Sequence, residues 1–341
     1  MDEDKTLLQK AIEDFLTDRE LNNHSEKTIR TYSQRLRYFR TWLEATHGVV
    51  YVEDLELSHL RGWISYLQKT PTYRGKKLSD DSIHSYGQSL LAFCHWLERE
   101  EYLEKPITTR FKLPRVEEKF IPTFTSEEVQ KLLDACEEGR DSRPHLCKAL
   151  TARNRAIVSL FIDTGIRLSE LVGLRLGDID RNMRVLLVHR KGNRWQQVPV
   201  SRDGFKPLHE YLTKHRPLLA KQDGITTARK EDAVFLGDDG KPLAYWGVAA
   251  LFRRLKKRTG IDGKRVSPHN CRRYMATTQL ADGRSPLDVQ RQMGHRTLAM
   301  TNKYASLTID HLKKSHEKHS PLRVENKGGS AEVFGTGYWD E

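Results

Sequence analysis

Seven polar side chains in this 341-residue chain are of types that could handle an anionic phosphoryl centre. Arg167 has Glu170 one helical turn later. His269 precedes Arg272 by three residues, and His295 precedes Tyr304 by nine. Lys191 falls between the two arginine segments. A guanidinium fork matches two nonbridging phosphodiester oxygens bidentately and stays charged at any working pH. In a transition state that gains negative charge, two such forks can replace a metal pair. A phenol, with an ordinary pKa near 10, needs a positive surrounding or a proton acceptor before it attacks at neutral pH. An ammonium on a turn can protonate a departing oxygen. Taken singly, each arginine reads as a surface residue, each histidine as a core group and the tyrosine as a packing residue.

Such groups need rigid elements to hold them. Val185–His189 reads as an apolar strand, 191–194 as a turn and Trp195–Val200 as the returning strand. Gly192 and Asn193 in that turn tolerate positive φ. The flanking segments carry helical periodicity. A helix restarts at Thr125, where Glu128 three residues on completes a capping box.

The first hundred residues read as a separate all-helical domain. SEKTIRTYSQRLRYFRTWLE, residues 25–44, carries Ile29, Tyr32, Leu36, Phe39 and Leu43 on one stripe behind a Ser25 N-cap. The same stripe returns 54 positions later as Ile83, Tyr86, Leu90, Phe93 and Leu97, and both copies end Trp-Leu-Glu. Further helices are expected over residues 4–21 and within 51–68. Residues 105–124 hold three prolines without periodicity and read as an extended linker. The expected organisation is therefore a helical domain over 1–110, a linker over 111–124, a second domain over 125–320 and a flexible Gly-rich tail over 321–341. The fold class is mainly α with a small antiparallel β element.

Charge separates the two halves. The net formal charge is +12, yet residues 1–110 hold 16 Lys or Arg against 18 Asp or Glu, so the excess lies beyond residue 110. A domain-scale positive excess favours a polyanion such as nucleic acid. Arg30 and Arg37 lie off the apolar stripe and could face phosphates, as could Arg194 beside the hairpin turn, though a solvated helix face explains Arg30 or Arg37 equally well. Arg253, Arg254, Lys256, Lys257 and Arg258 are read as either solvated or phosphate-facing. Four cysteines without a C-x-x-C pair encode neither a disulfide framework nor a zinc ribbon. His311, His316 and His319 have no acidic or thiolate partner, so no metal site is expected there. No G-x-x-x-x-G-K-[ST] loop occurs, and no apolar run approaches the roughly 20 residues of a membrane helix. A cytoplasmic, nucleoid-associated protein without membrane attachment is expected.

Three segments, TGIRLSELVGLRLGDID (164–180), SPHNCRRYMATTQLADG (267–283) and VQRQMGHRTLAMTNKYASL (289–307), resemble the tyrosine recombinases, or lambda-integrase superfamily. The resemblance spans residues 5–318. It implies a helical, SAM-like amino-terminal domain that clamps core DNA and an α+β catalytic domain. Position by position, it implies that Tyr304 attacks a DNA phosphodiester to form a 3′-phosphotyrosyl bond. Arg167 and Arg272 would hold the phosphate, Lys191 would protonate the 5′-oxygen, and Glu170 would orient Arg167. His269 is favoured as the proton acceptor and His295 as a hydrogen-bond donor to the phosphate.

The implied reaction needs no metal, ATP or other cofactor. The implied partner is duplex DNA with paired inverted half-sites, bound by a homotetramer. The sequence departs from the family after Arg272, where Arg273, Tyr274 and Met275 replace the usual Arg-His-Thr or Arg-His-Ser continuation, and Cys271 replaces Leu; Tyr274 thereby becomes a second tyrosine near the site. These departures and the lengthened segment 137–151 favour integration or excision of a mobile element. An Xer-like resolution of replicon dimers, a type IB topoisomerase and a non-catalytic DNA-binding relative are the alternatives. After Tyr304, Leu307, Ile309 and Leu312 beside a basic face suit a segment that docks on a neighbouring protomer or caps its own domain.

Overall fold

The computed structural model describes residues 5–72, 75–116, 121–137, 144–190, 192–221, 232–295 and 297–302, with residues 304, 313, 316, 317 and 320. Lys191, most of the segment after Tyr304 and the tail lie outside the described residues. The chain divides into two compact units, Met1–Phe120 and Ile121–Glu341.

The first unit contains α1 (Leu8–Leu21), α2 (Glu26–His47), α3 (Leu57–Lys69) and α4 (Asp80–Arg99). Both repeat helices start as the sequence dictates. The Ser25 and Ser79 hydroxyls accept from the third amide of α2 and α4, at 3.3 Å in each case. Their stripes meet in one core, where Leu36, Phe39, Leu43, Leu90, Phe93 and Leu97 are buried with Phe15 and Trp63. Equivalent positions of the two copies also touch. Arg35 donates to Ser89 Oγ at 3.0 Å, 54 residues along the chain. The stretch after α4 is partly docked on this unit: Phe111 is buried, and Leu113 packs so closely on Gly87 that a β-carbon there would collide with it. That approach explains a glycine inside a helix.

The second unit opens with α5 (Ser126–Asp134), capped reciprocally by Thr125 and Glu128. Then follow α6 (Pro144–Thr164), α7 (Leu168–Val172), β1 (Ile179–Asp180), β2 (Val185–Arg190) and β3 (Arg194–Pro199). Next come α8 (Arg202–Glu210), a π-helical turn over Tyr211–His215, and α9 (Arg216–Ala220). The last elements are α10 (Tyr245–Thr259), α11 (Pro268–Ala281), α12 (Pro286–Met293) and α13 (Leu298–Asn302).

The hairpin forms at the expected place, with His189 opposite Trp195, and Gly192 and Asn193 take φ values of 85° and 53°. A third strand, β1, was not legible in two residues; it pairs Ile179 with Leu186. Along β2, Leu186, Val188 and Arg190 turn inward. Because strand side chains alternate, that register drives an arginine toward the interior. The main core gathers around Ile157, Leu160, Phe161, Leu208, Tyr211 and Phe252. A smaller cluster, Met275, Ala276, Leu280, Val289 and Met293, lies between α11 and α12 and supports Tyr304.

Candidate active site

Four chain turns of the second unit deliver the candidate residues. After α6, Gly165 adopts φ 63°, where a β-carbon would strike Met275, and two residues later Arg167 occupies the N-cap of α7. Glu170 holds Arg167 twice. One oxygen accepts the backbone amide and the other the guanidinium, each at 2.8 Å. The carboxylate is buried, whereas the Arg167 side chain keeps 36% exposure. Arg167 is thus held at its backbone and at its partly exposed guanidinium, which also donates to the Gly294 carbonyl at 3.5 Å.

Arg272 comes from the first turns of α11, which Ser267 caps with Pro268 at its first position. It is 4% exposed. Its guanidinium donates to the carbonyl of Gly165 and, at 2.6 Å, to that of Met293. Burial first, then Arg167, lowers its pKa, but a guanidinium remains cationic at neutral pH.

His295 follows the left-handed Gly294 that ends α12. Its Nε2 lies 3.0 Å from an Arg272 nitrogen that can only donate, so Nε2 accepts. Nδ1 then donates to Thr301 Oγ1 at 2.9 Å. Burial, followed by Arg272, Arg167, Arg190 and His269, pushes its pKa down to about 4. In this state the imidazole is neutral, and its Nε2 is engaged by Arg272. His269 keeps contact with solvent, yet the protein crowding its ring lowers its pKa, aided by Arg273 and Arg272. A neutral imidazole is what a proton acceptor requires.

The Tyr304 ring stacks on His295 with centroids 5.9 Å apart, and Arg273 lies over its face at 5.6 Å. Arg273, the departure from the usual motif, also donates to the Ile121 carbonyl at 3.2 Å. Tyr274 instead packs against the main core. The structure therefore brings Arg167, Glu170, Arg272, His295 and Tyr304 together, with His269 close enough to add to the field on His295. Lys191 lies outside the described residues; its chain neighbours are the inward Arg190 and the turn residue Gly192.

Sequence reasoning missed Arg190, which is 6% exposed and stands 3.8 Å from Glu170. The period of two through Leu186 and Val188 was the signal for its direction. The candidate DNA contacts form no such cluster. Arg30 is exposed and paired with Glu26 at 2.7 Å, and Arg37 and Arg194 are exposed. Of the basic run on α10, Arg258 bonds the carbonyls of Ala135 and Glu137, so it is neither simply solvated nor free for phosphate. Among the described residues no cluster of potential metal ligands occurs. Nor is any helix among them long and apolar enough to cross a membrane.

Residues 122–311 match the model of the phage integrase family, and residues 7–124 match that of the phage integrase SAM-like domain. Tyrosine recombinase XerC of Lactobacillus delbrueckii subsp. bulgaricus is 30% identical over 306 residues, 88% of this chain and 95% of the relative. Tyrosine recombinase XerD of Listeria monocytogenes is 27% identical, over 91% of this chain and 98% of that protein. Among solved structures, the Tn1549 transposon integrase in complex with a circular intermediate DNA superposes with a TM-score of 0.70 at 19% identity, covering 92% of this chain and 100% of that one. The XerH recombinase bound to palindromic difH gives 0.66 at 18% identity, over 86% and 80%. These likenesses agree with a mainly helical fold carrying a small antiparallel sheet.

Proposed function

Because this chain belongs to the phage integrase family and is a site-specific tyrosine recombinase, we propose that the pocket around Arg167, Arg272, His295 and Tyr304 is where it cuts and rejoins DNA. The observation that carries this reading is a chain of contacts in which the buried Glu170 carboxylate holds Arg167, Arg272 meets the neutral His295 imidazole, and that ring stacks on the Tyr304 phenol. Arg167 and Arg272 hold the nonbridging oxygens of the scissile phosphate. The Tyr304 oxygen attacks phosphorus and its proton passes to His269. The bond to the 5′-oxygen breaks, and that oxygen takes a proton from Lys191. A 3′-phosphotyrosyl bond conserves the phosphodiester energy, so rejoining reverses the same step on a new 5′-hydroxyl. For His295 to donate to the phosphate, its Nε2 must leave Arg272 and gain a proton, because in the DNA-free arrangement that nitrogen accepts.

The amino-terminal unit and the catalytic unit clamp duplex DNA at paired inverted half-sites. Four protomers form the synapse, in the cytoplasm beside the DNA. Integration or excision of a mobile element is favoured by the departures at Arg273, Tyr274 and Met275 and by the lengthened segment 137–151. Resolution of replicon dimers is the second reading, favoured by near full-length similarity to XerC and XerD. Deleting the gene in its host separates them: loss of circular element junctions supports the first, accumulation of replicon dimers the second.

The chemical test is Tyr304→Phe on DNA that the wild type cleaves. The variant should bind that DNA and form no SDS-resistant adduct, and wild-type cleavage should persist in excess EDTA. A surviving adduct would transfer the nucleophile's role to Tyr274.

A further inference from the structure

An arginine at the inward register of β2 needs a physical reason. Leu186 and Val188, the inward residues before it, complete an apolar core, and a third apolar side chain at position 190 would continue that core without desolvating a charge. The guanidinium is compensated instead by three groups from elsewhere in the chain. One terminal nitrogen donates to the Gln292 carbonyl at 2.6 Å, and the other to the Met293 carbonyl. Glu170 lies 3.8 Å away. Burial lowers the Arg190 pKa while Glu170 opposes that shift. The two carbonyls are the last of α12, groups with no acceptor role left inside the helix and at its negative end. Arg272 bonds the same Met293 carbonyl, so two guanidiniums converge on one oxygen.

The next residue confirms how closely the parts fit. Gly294 has φ 62°, and a β-carbon on it would collide with the Arg190 guanidinium. His295 follows directly, and its ring position depends on where that turn is held.

We propose that Arg190 is a positioning residue for strand cleavage: it fastens the end of β2 to the α12 terminus and thereby holds His295 against Arg272 and Tyr304. The inference rests on the reading of this pocket as the cleavage site. Arg190 touches no reacting atom. Its effect passes through His295, so removing either residue should disable the same step.

That dependence is measurable. Single-turnover cleavage, half-site affinity and thermal melting are compared for the wild type, R190M, His295→Gln and the double variant. The substrate is a nicked duplex carrying the sequence that the wild type selects from a random library. R190M should bind the half-site as the wild type does and cleave about 100-fold more slowly, the scale of a displacement near 1 Å at a reacting centre. Added to His295→Gln, it should cost little more. Undiminished cleavage by R190M, or losses that multiply in the double variant, would overturn the proposal.

Should R190M fail to fold, R190K carries the same cycle, because an ammonium keeps the charge but cannot present the planar fork that meets both carbonyls. Wild-type cleavage by R190K then overturns the proposal, and a shared loss with His295→Gln supports it. A wild-type chain that forms no covalent adduct would count against the cleavage reading itself, whereas a wild-type adduct with an unaffected R190M counts against Arg190 alone.

Discussion

The two units handle arginine in opposite ways. In the amino-terminal unit the core is aromatic and aliphatic: Phe15 meets Phe93 and Trp96 edge-on at 5.5 and 5.7 Å, and arginines lie around it. Arg35, for example, covers the Tyr86 ring at 5.2 Å and reaches the Ser85 carbonyl. In the second unit Arg190 and Arg272 lie inside, held by backbone carbonyls, with the Glu170 carboxylate 3.8 Å from Arg190. The first arrangement draws stability from apolar burial, at about 1.5–3 kcal/mol for a fully buried Phe or Leu. The second keeps positive charge in a low-dielectric pocket, where on the proposed reading it would act strongly on an arriving anion. Both units have apolar cores, but the Arg190, Arg272 and Glu170 cluster belongs to the second alone.

That contrast breaks if buried charge proves dispensable. Arg272→Ala should produce the largest effect, a fall in single-turnover cleavage of about 1,000-fold, since one removed transition-state donor costs 100- to 1,000-fold and His295 loses its anchor as well. Cleavage near the wild-type rate would make Arg272 a structural residue. The converse change is Phe93→Ala in the aromatic core. Denaturant unfolding should show a loss of about 3–5 kcal/mol, with half-site binding weakened in proportion to the unfolded fraction.

Glu170→Gln sharpens the comparison within the site. The amide keeps the shape but loses the charge that offsets Arg167 and Arg190, so stability should fall by about 2 kcal/mol, discounted for the exposed end of Arg167. Cleavage should fall with it, read on the same substrate. An unchanged melting temperature would mean that the carbonyls alone carry the arginines.

Acid tests the same field. His295 titrates near 4 when folded and near 6.5 when unfolded, so between those values the unfolded chain binds more protons. Stability should be complete above about pH 6.5 and fall as the pH drops toward 4, with His269, also lowered, adding in the same direction. Melting curves of wild type and His295→Gln over that range should diverge at the acid end; parallel curves would remove the pocket's field as the cause. The smallest effect belongs to the periphery of the first unit. Arg30→Ala removes an exposed pair with Glu26 and should cost under about 0.5 kcal/mol, so any larger loss in half-site affinity identifies Arg30 as a phosphate contact.

Much of this molecule is written in short-range pattern. Ser25, Ser79 and Thr125 announce their helices because a cap needs only the next three residues. The repeated stripe exposes the core of the first unit because helical period is local. Gly192 and Asn193 mark the hairpin because a tight turn requires positive φ. The segments that carry Arg167, Arg272, His295 and Tyr304 suggest the chemistry through their resemblance to tyrosine recombinases, because that likeness can be read from short stretches of sequence.

What the sequence could not supply are the partners that make these groups behave as they do. Arg190 reads as a basic residue beside a turn until β2 sets its register and directs it inward. Its acceptors lie 102 and 103 residues further along the chain. They are main-chain carbonyls, which every residue type possesses, so no side-chain pattern marks them. The neutral state of His295 likewise depends on Arg272 and Arg167 arriving from other elements, and a pKa follows the summed burial and field at a point in space. Residue type and local period determined which groups are present and which elements carry them; only the tertiary structure decided which charges are buried, which carbonyls hold them and which way each ring nitrogen faces.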